Sequence, residues 1–329
     1  LSAVAEPVEV EGHELRATAS IGASLFPRDG RDSENLLKNA DAAMHRAKES
    51  GRNSLRFFTA EMNTRAVHRL TLESKLRRAL ENEEFELHYQ PQIDLATGRI
   101  VGMEALVRWM HPEQGLIPPN DFIPLAEETG LIVPLGTWVL HTACRQNRRW
   151  QDAGLDPLVM AVNLSARQLA QPDLEQVIGR ALADSGLTPE HLEIELTESA
   201  VMSNPEAMLA KLHQIKALGV TVAIDDFGTG YSSLSHIHRF PFDKIKIDKS
   251  FVQRIGEDPD DSAIPLAVIA MAHSLRLQAI AEGVETEQQA AYLLAHGCDE
   301  GQGYYFSRPV PADAATRLLE EGLNLPKVY

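Results

Sequence analysis

From Phe85 onward, short apolar runs alternate with longer stretches in which apolar residues recur every three or four positions. The runs predict strands over 85–95, 100–109, 158–165, 192–199, 221–228, 244–250, 278–285 and 303–308. The stretches between them predict helices over 121–129, 136–153, 173–185, 205–218, 260–275 and 286–296. A short helix is predicted over 231–238 and a closing one over 312–321. Eight strands alternating with helices describe an α/β protein of the (β/α)8 barrel class. One connection departs from that rule. Only Ala96–Arg99 separate the first two runs, and a parallel crossover needs about a dozen residues or more. That link is a hairpin, so one barrel strand is expected to run antiparallel.

The first 58 residues read differently. A strand pair is expected within 6–26, turning at Glu11-Gly12. Ser33 is the expected N-cap of a helix whose stripe is Leu36, Leu37, Ala40, Ala43, Met44 and Ala47, with Gly51 as its stop. Ser54–Phe58 is a further strand. So thin a unit does not bury both faces of a sheet by itself, and residues 1–58 are read as the end of an α+β domain. A helix over 61–80, with Met62, Val67, Leu70, Leu72, Leu76 and Leu80 as its apolar positions, links it onward. The expected division is 1–58, a linker over 59–80, and a barrel over 81–329. With Leu1 in place of an initiator Met, the chain is expected to begin inside a longer protein.

Composition narrows the function. The 329 residues carry a formal charge of −16, which argues against a nucleic-acid-binding surface. Two distant cysteines, Cys144 and Cys298, supply neither a disulfide framework nor a cysteine zinc site and fit a reducing, cytoplasmic setting. No run of about 18 apolar residues occurs, so this segment is expected to make no membrane contact, whatever tethers a longer parent.

Barrel enzymes place their chemistry at the C-terminal ends of the strands. There the sequence sets Glu104 and Arg108, Asn163, Glu195 and Glu198, Asp225 and Asp226, Lys246 and Asp248, Glu282 and Glu285, and Gln302. Any one such carboxylate is ordinarily solvated or caps the next helix. Converging on one rim, they repel one another and call for a cation. An all-oxygen set (Glu104, Asn163, Glu195, Asp225, Asp226) favours Mg²⁺ or Mn²⁺ over Zn²⁺. The adjacent Asp225-Asp226 pair suits a two-metal site for phosphoester hydrolysis. F-G-T-G-Y-S-S after it is a glycine-bearing loop and not a phosphate-binding G-K-[ST] motif. Arg108 could hold a phosphate through a bidentate contact. Lys246, flanked by apolar residues, is a rim or interior lysine.

Taken in order, Y-Q-P (89–91), E-A-L-V-R-W (104–109), N-L-S (163–165), E-L-T-E-S (195–199), D-D-F-G-T-G-Y-S-S (225–233), K-I-D (246–248), A-E-G-V-E (281–285) and G-Q-G-Y (301–304) resemble the EAL-domain cyclic-di-GMP phosphodiesterases of bacteria. The resemblance spans about residues 72–324 and implies a (β/α)8-like barrel with one antiparallel strand. A-S-I-G (19–22) and A-D-A-A-M-H-R-A-K-E-S-G-R-N (40–53) resemble the C-terminal part of a GGDEF diguanylate cyclase domain. No G-G-[DE]-E-F string occurs, so this chain is not expected to make cyclic-di-GMP.

The resemblance implies a first metal on Glu104, Asn163, Glu195 and Asp225, and a second on Asp225 and Asp226 with Glu282 nearby. Glu198 would anchor the loop 226–233, and Lys246 would contact the attacking water or the phosphate. Glu282 or Lys246 would assist deprotonation. Arg108 and Gln90 would contact nucleotide, with Leu106, Asp248 and Glu285 in the same substrate-binding set, and Gln302 would orient water or substrate. It implies hydrolysis to linear pGpG and a homodimer with loop 226–238 near its interface. Two other readings compete: a catalytically silent cyclic-di-GMP receptor, and a Mg²⁺ barrel enzyme of the enolase kind that abstracts a proton through Lys246.

Overall fold

A computed structural model describes the chain apart from residues 2–3, 5–7, 11–12, 16–17, 50–52, 203, 229–237, 257–262 and 323–329. It divides into two compact units, Leu1–Arg78 and Ala79–Tyr329.

In the first unit β1 (Val8–Val10) pairs antiparallel with β2 (His13–Leu15). A pair flanking Glu11-Gly12 is therefore present, but its second strand is His13–Leu15 and not the expected A-T-A-S-I-G-A-S-L-F run (17–26); the turn residues lie outside the described residues. The following run supplies only β3 (Ile21–Ala23), which pairs in parallel with β4 (Leu55–Phe57) instead of extending the hairpin. Helix α1 (Ser33–Glu49) is the crossover that this parallel pairing requires. Its cap is Asp32, not Ser33. The Asp32 carboxylate accepts from the Asn35 amide at 2.8 Å, so Ser33 falls inside the helix. Ala43 and Ala47 are buried, but Leu37 lies off the stripe and is exposed. Gly51 is outside the described residues.

Helix α2 (Ala60–Glu81) crosses the division between the units. Beyond it lie β5 (Phe85–Asp94), β6 (Ile100–His111), β7 (Gly115–Ile117), β8 (Val159–Leu164), β9 (Leu192–Thr197), β10 (Thr221–Phe227), β11 (Lys244–Ile247), β12 (Gln278–Ala281), β13 (Glu300–Gly301) and β14 (Val310–Pro311). Eight of these close a ring in the order β5-β6-β8-β9-β10-β11-β12-β13. Neighbours from β6 round to β13 are parallel. β5 is antiparallel to both its neighbours. The predicted hairpin is thus the one break in an otherwise parallel barrel. Its turn is tied by Asp94, whose side chain accepts from Thr97 N at 2.7 Å and whose carbonyl accepts from Gly98 N at 2.8 Å.

The helices around the ring are α3 (Pro119–Thr129), α4 (Ile132–Asp152), α5 (Ala166–Leu169), α6 (Leu174–Ser185), α7 (Glu198–Met202), α8 (Pro205–Lys216), α9 (Lys249–Val252), α10 (Ala263–Ser274), α11 (Glu287–Ala295) and α12 (Ala312–Glu321). The helix expected over 231–238 falls mostly outside the described residues. The strand expected over 303–308 is absent. The ring closes instead through Glu300–Gly301, and Gly303 then starts a turn whose carbonyl accepts from Phe306 N and Ser307 N, each at 3.1 Å. Tyr305 and Phe306, within the expected strand, are partly buried and pack against the core. Among the described residues no helix is long and apolar enough to cross a membrane.

The alternation within each strand sorts side chains to the two faces of the ring. Met160, Val162, Ile194, Leu196, Val222, Ile224, Ile245 and Ile247 join the apolar core. The intervening positions face the barrel interior, and many of them are polar: Gln90, Gln92, Glu104, Glu193, Glu195, Asp225, Lys244, Lys246 and Glu300 are all buried. Branched aliphatics ordinarily fill such a barrel. Here one inner cluster is ionic, with Lys244 Nζ 2.8 Å from Glu300 Oε2 and 3.3 Å from Glu193 Oε2.

Candidate active site

A second and larger charged cluster lies nearer the C-terminal ends of the strands. Lys246, fully buried on β11, stands at its centre. Its Nζ lies 2.6 Å from Glu282 Oε1, 2.8 Å from Glu195 Oε2, 3.5 Å from Asp225 Oδ2 and 3.9 Å from Glu104 Oε1. Four strand ends therefore aim carboxylates at one ammonium. Glu104 Oε1 also accepts from Asn163 Nδ2 at 2.6 Å, and Glu104 Oε2 accepts from Gln302 Nε2. Gln302 in turn donates to Gln90 Oε1 at 3.1 Å. Gln90 sits opposite Glu104 in the β5–β6 register, so the antiparallel strand delivers an amide where a parallel one would have offered other residues.

Asp225 and Asp226 are consecutive, and consecutive strand residues normally point to opposite faces. A register shift between Ile224 and Phe227 resolves this. Asp226 adopts φ 54°, the left-handed region, and the resulting bulge turns its carboxylate back toward the site. One oxygen each from Asp225, Asp226 and Glu282 then lies within 4.8 Å of the others. Just past the bulge, Glu198 Oε2 accepts from Gly228 N at 2.9 Å. The rest of loop 226–233 lies outside the described residues.

A cleft of about 310 Å³ opens above, lined by Gln90, Glu104, Leu106, Asp225, Glu282, Glu285 and Gln302 among the predicted residues. Lys246 and Glu195 lie buried within the barrel, and Asn163 reaches Glu104 from an exposed position on the rim. Arg108 is half-buried and donates to the Val107 carbonyl at 2.9 Å. Asp248 is placed differently: its carboxylate caps α9, accepting from Ser250 N at 3.0 Å, and it does not line the cleft. Glu285 accepts from Gln253 Nε2 at 3.0 Å.

Sequence reasoning passed over Lys249, Gln253 and Tyr304, which line the cleft, and Gln92, which donates to Glu195 Oε1 at 3.4 Å. Tyr304 ends the G-Q-G-Y motif and Gln92 shares the inward face with Gln90, so alternation alone could have found Gln92.

The charges do not balance within the cluster, and the carboxyls respond unequally. Burial pushes Glu282 up to about 8, against the opposing pull of Lys246. Burial raises Glu195 well above the usual range and also raises Asp226, helped by the neighbouring Asp225. Glu104 is held low: burial would raise it, but Lys246 and the bonds from Gln302 and Asn163 outweigh that. Such a set fits a hard divalent cation, which would supply the charge that one ammonium lacks. A pH dependence follows for the metal-free protein. The folded Glu282 carboxyl keeps its proton up to about 8, whereas an unfolded one loses it near the ordinary value of 4.5. Between these values the folded state binds more protons, so stability falls as pH rises. Thermal unfolding in EDTA from pH 5 to 9 should show a declining midpoint, and added Mg²⁺ or Mn²⁺ should flatten the decline. A midpoint rising across that range would contradict the charge assignment.

Comparison with known proteins decides the family. Residues 73–309 match the family model described as the EAL domain. The chain belongs to the EAL domain family. Residues 1–54 match the model described as the diguanylate cyclase, GGDEF domain. The bifunctional diguanylate cyclase/cyclic di-GMP phosphodiesterase MucR of Pseudomonas aeruginosa is 47% identical over 310 residues, covering 94% of this chain and 45% of MucR. The cyclic di-GMP phosphodiesterase PdeR of Escherichia coli K12 is 45% identical over 311 residues, covering 94% of this chain and 47% of PdeR. The chain thus spans less than half the length of either relative. The solved PaMucR phosphodiesterase in its c-di-GMP complex superposes with a TM-score of 0.72 at 47% identity. It covers 74% of this chain and 99% of that one. The EAL barrel expected from the sequence, antiparallel strand included, is the barrel observed.

Proposed function

We propose that this chain is a cyclic-di-GMP phosphodiesterase that yields linear pGpG. The observation that carries this reading is the convergence of Glu104, Glu195, Asp225 and Glu282 on Lys246, with Asp226 beside Asp225 and Glu282, beneath an EAL-barrel cleft. Glu104, Asn163, Glu195 and Asp225 would hold one cation, and Asp225 and Asp226 a second, with Glu282 beside them. Bound there, Mg²⁺ or Mn²⁺ supplies Lewis-acid stabilisation of phosphoryl charge and acidifies water.

The chain's own residues do the rest. Lys246, pinned between Glu195 and Glu282, fixes a positive charge at the floor of the cleft. Glu282 Oε1 is held 2.6 Å from Lys246 Nζ; when its carboxylate is ionised it is placed to take a proton at the cleft, with the Lys246 ammonium orienting it as a donor. Gln302 and Asn163 hold Glu104 in one orientation. Glu198 holds the start of the loop that carries Asp226. Arg108, Gln90, Leu106 and Glu285 contact the nucleotide; Asp248 supports this surface by capping α9. A homodimer and a cytoplasmic setting belong to the same reading, supported by the family and by the chemistry of a soluble nucleotide substrate.

The test is incubation of the chain with cyclic-di-GMP and Mg²⁺, Mn²⁺ or EDTA, with chromatographic separation of products. Linear pGpG is expected only with metal. Intact cyclic-di-GMP in every tube, with binding retained, would overturn the enzyme in favour of a silent receptor.

A further inference from the structure

The upper part of the β5–β6 hairpin forms a wall of the cleft, and its cross-strand pairs are Gln90–Glu104, His88–Leu106 and Glu86–Arg108. Paired residues in antiparallel strands present their side chains on one face. Because Gln90, Glu104 and Leu106 line the cleft, His88, Glu86 and Arg108 continue that same face toward the mouth. An arginine directly opposite a glutamate ordinarily forms an ion pair across the ladder. This one does not. Glu86 Oε1 instead accepts from His88 Nε2 at 2.8 Å. Arg108 spends one N–H on the Val107 carbonyl, and among the described residues no carboxylate oxygen comes within 4 Å of its guanidinium nitrogens. A guanidinium carries five donors, so most of the fork is left for a ligand.

We infer that His88 is a positioning residue: by holding Glu86 along β5 it keeps that carboxylate off Arg108 and leaves the guanidinium open to an anionic phosphate at the cleft mouth. The inference rests on the reading that Arg108 contacts the substrate. His88 itself touches no reacting atom. Without it, Glu86 is released toward the cation that faces it across the ladder, Arg108. An Arg108–Glu86 pair would neutralise the guanidinium and turn its fork away from the cleft. Removing Glu86 should then make His88 dispensable.

The experiment is steady-state hydrolysis of cyclic-di-GMP by the full chain at fixed metal and ionic strength, comparing R108A, E86Q, H88A, H88Q and the E86Q/H88A double variant. H88A should raise KM roughly tenfold with kcat within about twofold of the parent, the effect of setting one charge-assisted contact against a competing carboxylate. H88Q keeps an N–H donor and should stay near the parent. E86Q/H88A should return KM to within about twofold of the parent. A purely structural role for His88 would leave the double variant as impaired as H88A, and that result overturns the inference. So does an H88A variant with unchanged KM when R108A is impaired. If R108A itself leaves KM unchanged, the role assigned to Arg108 is what has failed. Should no variant turn over, dissociation constants for cyclic-di-GMP from calorimetry give the same ranking.

Discussion

Replacing Glu104 with alanine is expected to lower cyclic-di-GMP hydrolysis by about a thousandfold or more while leaving the fold in place. Glu104 is the acceptor on which three elements converge: Asn163 from β8, Gln302 from beyond β13, and the Lys246 charge from β11. Its carboxyl is held low by Lys246 and by the bonds from Gln302 and Asn163, whereas burial raises Glu195 and Glu282. That makes it an anionic donor to a cation entering the cleft. Truncation also strands the Gln302 and Asn163 amides, which then reorient. The barrel loses little, because Glu104 faces the cleft and not the apolar layer between strands and helices. Product chromatography checks the rate, and circular dichroism with a melting curve checks the fold. Turnover within tenfold of the parent would sink the assignment of Glu104.

The second large effect is on stability. Lys246→Met keeps the side chain's approximate length and removes its charge. Glu195, Glu282, Asp225 and Glu104 would then face one another with no internal cation. Removing one partner of a buried ion pair costs about 3–5 kcal/mol, because the remaining charge is uncompensated. Proton uptake by the carboxyls can relieve part of that, so the loss should grow with pH. In EDTA at neutral pH, denaturant unfolding should show a destabilisation of that size, and Mg²⁺ or Mn²⁺ should recover much of it. A Lys246→Met chain as stable as the parent in EDTA would mean that the cluster is neutralised by some other route. Activity should fall as well, but stability separates the electrostatic role from any role in proton transfer.

Much of the site was legible because strand alternation is local. K-I-K-I-D alternates lysine with isoleucine, and the structure sends Ile245 and Ile247 outward and both lysines inward. L-E-I-E-L-T behaves in the same way. The hairpin was legible because four residues cannot hold a crossover. Other features depend on registers that local pattern does not encode. The bulge that swings Asp226 around arises from the mismatch between β10 and β11. The two-residue β13 is a strand only because β12 and β5 flank it; its own sequence, E-G, has no strand character. The cap at Asp32 and not Ser33 is a one-residue ambiguity that side-chain geometry alone resolves. Asp248 shows the reverse limit. Its place in a strong motif suggested ligand contact, while its carboxylate is engaged by the amide and hydroxyl of Ser250.

The reversed direction of β5 has one more consequence. An all-parallel barrel admits its polypeptide at the floor, at the end farthest from the chemistry. Here Phe85 pairs with Trp109, near the outer end of β6, so the chain enters at the rim and descends past His88, Gln90 and Gln92 in turn. Glu84, just ahead of Phe85, accepts from Trp109 Nε1 and Met110 N at that same end of β6, so a tug or twist along this backbone bears first on the outer end of the hairpin and next on His88. The entry strand is thus a tether tied directly to the mouth of the cleft.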